Sequence, residues 1–370
     1  MNLNWKFWVP TCVHVGRKVV TRKSGIFQGL GRRVFIVTGR RSSKENGSLD
    51  DLMDALQEQG LRFIIFDEVE ENPSFTTVER AAQICREFGA DLVVGLGGGS
   101  PMDAAKAVAI LTLNPQLSAE DLYDSSNYTT ALPVVAIPTT AGTGSEVTQY
   151  SVLTNHEGQK GGFSSVLAFP KHAMLDPRYT LKMSRDLTLS TSVDALSHAF
   201  EGLLANTSTP LSDTLARDAI DKIKSALPKV LESPDDIQLR FELLLASTEA
   251  GMVIAQTGTT LVHAMGYPLT TFKGLKHGMA NAILMVPVFE HVAKTEPERV
   301  RKALASFKDV EELHRFFDEV GVHDVHLSVS EKEAREWVQR VTKSRHIRKT
   351  PGFFTEADLV RIYLSLETTR

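Results

Sequence analysis

The chain has only two cysteines, Cys12 and Cys85, in 370 residues, and no Cys-x-x-Cys. That excludes a disulfide-stapled fold, a zinc finger and a thioredoxin-like redox pair, and both thiols are expected to be reduced. An excess of one charge is also lacking: 41 Lys and Arg stand against 45 Asp and Glu, a formal net charge of -4. Basic clusters occur at Arg32-Arg33, Arg40-Arg41 and Arg345–Lys349. None is interleaved with aromatics, so no nucleic-acid partner is expected. No apolar run approaches the ~20 residues of a membrane span, and residues 1–10 show no signal-peptide pattern. A cytoplasmic protein without membrane contact is the expectation. The 25 Gly and 15 Pro are ordinary numbers, which excludes collagen-like and low-complexity chains. What remains is a globular chain, 42% hydrophobic, whose length suits two domains.

Two rhythms divide it. In the first half, short β-rich apolar runs alternate with helical patterns. Strands are expected at Arg33–Thr38, Leu61–Phe66, Asp91–Gly95 and Leu132–Ile137, with helices at Leu49–Gln59, Val78–Phe88 and Ser100–Leu111. Near-continuous apolar strands separated by helices imply a mainly parallel, Rossmann-like sheet covered on both faces. Gln149–Pro177 mixes β-prone pieces and loops. From about Arg185 the pattern is helix after helix, including one run from Ile237 to His263 with a candidate break at Gly251 or Gly258. The expected organisation is an α/β domain over 1–180 and an all-helical domain over 181–370.

Gly95-Leu96-Gly97-Gly98-Gly99-Ser100-Pro101-Met102-Asp103 follows a buried-type strand. Ser100 as N-cap, Pro101 at N1 and Asp103 at N3 would form a capping box. The glycines before it would let an anion approach the free N–H groups of the helix start, which suits a pyrophosphate. It is neither Gly-x-Gly-x-x-Gly nor a Walker A sequence. A second polar loop, Pro138–Glu146 (PTTAGTGSE), follows the next expected strand, on the edge where open α/β sheets bind ligands.

In the helical half, Asp194 and His198 stand at i and i+4, on one helix face. His263 lies in an apolar stretch, and His277 follows a linker holding Gly266, Pro268 and Gly274. Three imidazoles and a carboxylate suit a borderline divalent ion. Spacing alone does not select these among 11 histidines, and on spacing alone a hydrogen-bonded Asp–His pair and a satisfied core histidine are the readings to beat.

Taken together, Gly95–Lys106 (GLGGGSPMDAAK), Pro138–Glu146, Asp194–Gly202 (DALSHAFEG) and Gly258–Asn281 resemble the iron-containing (group III) alcohol dehydrogenase family, in the family's order and over nearly the full length. The resemblance implies a dehydroquinate-synthase-like architecture. It also implies reversible hydride transfer between a primary or secondary alcohol and the nicotinamide of NAD(P). Metal ligands fall on Asp194, His198, His263 and His277, for Fe2+ or alternatively Zn2+. Pyrophosphate contacts fall on Gly97, Gly98, Gly99 and Ser100, with Asp103 at the start of the helix. Further cofactor contacts fall on Thr139, Thr140, Thr143, Ser145 and Lys160. The implied active site lies between the two domains, the implied substrate is a small alcohol, aldehyde or ketone, and the implied assembly is a homodimer. Glycerol or polyol dehydrogenases and dehydroquinate synthases share this plan, and a non-catalytic nucleotide-binding protein with a structural metal is the reading of another class.

Two departures from the family pattern matter. Tyr267 stands where members often carry a histidine for proton transfer, and a phenol with a reference pKa near ~10 is a poor carrier at neutral pH. Gly39 stands where NAD-preferring members tend to place an aspartate. Its absence, with Arg40, Ser42, Ser43 and Lys44 close by, favours the 2′-phosphate of NADP(H) over NAD(H).

Overall fold

A computed structural model describes residues 4–366. The first half runs β1 (Cys12–Val15), short helices α1 (Val19–Arg22) and α2 (Gly25–Leu30), β2 (Arg33–Gly39), α3 (Ser42–Glu45), α4 (Ser48–Glu58), β3 (Arg62–Val69), α5 (Phe75–Phe88), β4 (Leu92–Gly97), α6 (Gly99–Leu113) and β5 (Val134–Pro138). Then come β6 (Tyr150–Thr154), β7 (Lys160–Ser164) and β8 (His172–Leu175). Six strands form one parallel sheet in the order β1-β8-β5-β4-β2-β3, and β6 and β7 pair as an antiparallel hairpin within Gln149–Pro177.

The apolar runs of β2, β4 and β5 are buried almost throughout because side chains alternate between two covered faces. Phe35, Val37, Val93 and Val134 pack with α5 and α6 on one face. Val34, Ile36, Leu92, Val94 and Val135 pack with Leu49, Leu52 and Leu56 of α4 on the other. The chain visits β3 on one side of β2 and then β4 on the other. The ends of β2 and β4, at Gly39 and Gly97, therefore flank a topological switch point, where a ligand crevice opens.

The second half is helical: α7 (Arg185–Leu204), α8 (Pro210–Glu232), α9 (Ile237–Thr257), α10 (Leu261–Lys273), α11 (His277–Ala293), α12 (Pro297–Ala303), α13 (Val310–Val320), α14 (Glu331–Val341) and α15 (Glu356–Leu364). Capping boxes start α8 at Thr209, α14 at Ser330 and α15 at Thr355. The expected run Ile237–His263 breaks at Gly258, whose φ of +67 suits glycine, while Gly251 continues the helix. The expected linker before His277 is mostly helix: α10 passes through Gly266 and Pro268, and only 274–276 remain outside it. The chain groups into two compact units, one of residues 9–183 with 235–244, the other of 4–8, 184–234 and 245–366. No helix among the described residues is long and apolar enough to cross a membrane.

Candidate functional site

Within the sheet unit, three loops at the carboxyl ends of β3, β4 and β5 meet at the start of α6. Gly97 takes φ +145. A Cβ on Gly99 would stand 2.8 Å from Thr143 Cγ2, and one on Gly98 would stand 3.2 Å from Thr140 Oγ1. Side chains there would fill the space before the first N–H groups of α6. Thr139 N–H donates to Gly97 O at 2.9 Å, locking the two loops together, and Thr139 Oγ1 is buried without a hydrogen-bond partner.

The expected capping box does not form. Gly98 is the N-cap, so Ser100 lies inside the helix and its Oγ accepts Asn72 N–H at 3.1 Å. Asp103 turns inward. It accepts Ser145 Oγ–H at 2.5 Å and Val152 N–H at 2.8 Å. Lys106, missed in the sequence reading, is fully buried beside it and donates to Ser145 Oγ at 2.6 Å and Tyr150 O at 2.7 Å. Burial pushes its ammonium down to about 8, against the opposing pull of Asp103 and Glu146. Burial likewise raises Asp103, with Lys106 opposing. Asp103 and Ser145 thus hold the helix and its neighbouring loops in place, while Thr140 and Thr143 line the turn.

At the end of β2, a Cβ on Gly39 would meet nothing nearer than Val69 O at 3.6 Å. The glycine is therefore not demanded by space. Arg40 and Ser42 are exposed. Lys44 pairs with Asp67 at 2.6 Å, and that bond, with a further contribution from Arg40, holds the Asp67 carboxyl low. Ser43 is buried and accepts from Thr38 Oγ1 at 2.9 Å, which turns it into the core and away from any phosphate. Lys160 opens β7, partly buried, and its ammonium is lowered by that burial.

In the helical unit, Asp194 and His198 come from α7, His263 from α10 and His277 from the start of α11. The Nε2 atoms of His198, His263 and His277 each lie 3.9 Å from Asp194 Oδ1. His198 and His263 stack at 4.9 Å, with their Nε2 atoms 3.1 Å apart. Four donors at ~2.1 Å from one tetrahedral ion stand ~3.4 Å from each other; Asp194, His263 and His277 offer donor atoms within 4.8 Å of one another, near enough for a shared cation, and His198 reaches that group through Asp194 and His263. Gly278 makes the approach of α11 to α7 possible: a Cβ there would strike Ser190 O and lie 2.9 Å from Asp194 Cβ.

Two further residues of the cluster carried spacing signals that went unread. Glu201, seven residues after Asp194 on the same helix, is fully buried and hydrogen-bonds His263 Nδ1. Its other oxygen accepts Thr260 N–H and Oγ–H, both at 2.7 Å. Burial raises the Glu201 carboxyl, and the Thr260 donors oppose that rise. Burial, then the charge of His198, holds the His263 imidazole well below its ordinary value, hence neutral. With Nδ1–H given to Glu201, Nε2 keeps a lone pair for a metal. Asn281, one turn after His277, places Nδ2 3.1 Å from Asp194 Oδ1 and 3.2 Å from His263 Nε2. On the more open side, Tyr267 stacks on His277 at 5.8 Å, and His346 stands 6.4 Å from Tyr267.

Residues 10–177 match the family described as iron-containing alcohol dehydrogenase, and residues 188–366 match its C-terminal domain. The chain belongs to the iron-containing alcohol dehydrogenase family. It is an enzyme with the family's metal-dependent, NAD(P)-linked alcohol dehydrogenase activity and its two-part fold. A solved iron-containing alcohol dehydrogenase from Thermotoga maritima is 50% identical, with a TM-score of 0.93 over 98% of this chain and 99% of that one. The NADPH-dependent butanol dehydrogenase of Clostridium saccharobutylicum is 31% identical over 80% of this chain and 76% of its own. The NAD-dependent methanol dehydrogenase of Bacillus methanolicus is 31% identical over 78% and 77%. Family members thus differ in cofactor, so membership leaves that choice to local residues.

Proposed function

We propose that this enzyme interconverts primary or secondary alcohols with their aldehydes or ketones, prefers NADP(H), and holds Fe2+ on Asp194, His198, His263 and His277, with Zn2+ as the alternative ion. The observation that carries the reading is the set of three imidazole nitrogens equidistant from Asp194 Oδ1. When bound, the metal supplies a Lewis acid for charge on the substrate oxygen, and the nicotinamide supplies or takes the hydride.

The chain's own residues do the rest. The N–H groups after Gly98 hold the pyrophosphate at the positive end of α6, with Thr140 and Thr143 beside it. Thr139 and Lys160 belong to the same cofactor reading, and Asp103 and Ser145 keep the turn in shape. Gly39 withholds a carboxylate from the 2′-phosphate, and Arg40 and Ser42 offer it charge and a donor. The inward hydroxyl of Ser43 and the Lys44–Asp67 pair leave less of the expected set free for that phosphate. Glu201 orients His263. Tyr267 lines the substrate side of His277, on whose ring it stacks. The two free cysteines fit a reducing, cytoplasmic setting, and a homodimer remains part of the reading.

The test is anaerobic purification, metal analysis, and turnover with NADP+ and NAD+ across a panel of alcohols. Net formation of NADPH from simple alcohols by an iron-loaded enzyme is expected. Turnover of polyols alone, or metal loading with no turnover across the panel, would overturn the substrate assignment.

A further inference from the structure

The sheet unit carries a second group of metal-type side chains, with no member in common with the one above. β1 is the outermost strand of the sheet and pairs in parallel with β8, in the register Cys12↔His172 and His14↔Met174. Side chains two apart on a strand share a face, as do directly paired residues on neighbouring strands. Cys12, His14 and His172 therefore project from one side of the sheet edge. His14 Nε2 lies 2.9 Å from His172 Nδ1, and the two rings stack at 5.2 Å. One donor atom from each of the three residues lies within 4.8 Å of the other two. Cys12 is exposed and the histidines are half-buried, so an ion could reach them from solvent.

We propose that Cys12, His14 and His172 form a second cation site, for a borderline-soft divalent ion such as Zn2+. One thiolate and two imidazoles suit a tetrahedral ion with its fourth position open to water. A thioether-free, carboxylate-free set of this kind disfavours Mg2+ and Ca2+, which take oxygen ligands. Both rings are held neutral and so keep lone pairs: burial is the main cause for each, aided by Lys23 at His14 and by His14 at His172. On binding, the Cys12 thiol gives its proton to water, and the ring that donates in the His14–His172 pair shifts its proton to its outer nitrogen, where the other ring already carries its own. The charge of Lys23, which acts on His14, opposes the ion, and the thiolate offsets it.

The probe is Co2+, titrated into the metal-loaded enzyme. The ligands Asp194, His198, His263 and His277 include no sulfur, so a thiolate-to-cobalt charge-transfer band reports on a cysteine site alone. Cys85 is fully buried on α5, and burial pushes its thiol up to about 12, so it does not compete. Wild type should bind one extra equivalent and develop the band. Cys12→Ser should lose the band at unchanged melting temperature and basal turnover, and His172→Gln should weaken Co2+ binding at least tenfold. Titrations of wild type and Cys12→Ser that superimpose would overturn the site. So would a band that persists at full affinity in both His14→Gln and His172→Gln. Neither result bears on the alcohol dehydrogenase reading.

Discussion

Glu201 and His263, 62 residues apart in sequence, share a hydrogen bond between carboxylate and ring Nδ1 inside the helical unit. That bond decides which nitrogen of His263 keeps a lone pair. A glutamine amide facing Nδ1 would donate instead of accept, which would move the ring proton to Nε2 and block it. Glu201→Gln should lower metal affinity about 10–100-fold, read by metal content after dialysis against a graded chelator. Helix content by circular dichroism should be unchanged.

Gly39→Asp should weaken NADPH relative to NADH, because the added side chain has room and brings a negative charge to the end of β2. The ratio of kcat/KM for NADPH to that for NADH should fall tenfold or more, about 1.4 kcal/mol. An unchanged ratio would remove the basis for the NADP(H) preference.

Lys106→Met should destabilise the sheet unit. The substitution removes the cation beside Asp103 and the ammonium that donates to Ser145 Oγ and Tyr150 O, at a side chain that is itself fully buried. Breaking a buried pair from one side costs about 3–5 kcal/mol. Urea unfolding followed by fluorescence should report that loss, and cofactor binding should weaken with it as the loops at α6 loosen.

His346 supplies a pH signature. Burial holds its ring below the ordinary 6.5, although its Nδ1 contacts Thr259 at 3.0 Å. In the unfolded chain the ring takes a proton as pH falls through 6.5, while the folded chain resists. Its contribution to stability is therefore present above that pH and lost below it. The melting temperature of the metal-loaded enzyme should drop from pH 7 to pH 5, and His346→Gln should drop less over the same interval. Equal slopes would show that the ring titrates normally.

Much of this arrangement was legible in the residues. Alternation fixed the sheet unit because its strands are buried on both faces and read as unbroken apolar runs. The strand at Cys12–Val15 escaped notice because an edge strand of four residues, half of them exposed, carries no such run. Asp194 and His198 were visible as a helical pair, but His263 and His277 needed the family resemblance, since helix packing and not spacing brings them together. Ser100 and Asp103 misled for a physical reason: the pattern of a capping box is also the pattern of an acid one turn into a helix, and Ser145 and Val152 claim that acid. Pro268 misled similarly, because a helix that packs on both sides tolerates a proline inside it.

Gly278 narrows the routes by which this enzyme can change. A side chain at position 278 would strike Ser190 and Asp194 of α7, and so would shift His277 away from Asp194. Position 267 lies on the partly exposed side of the same cluster, where no such backbone clash limits the side chain. Change at the cluster is therefore easier to accommodate at position 267 than at position 278.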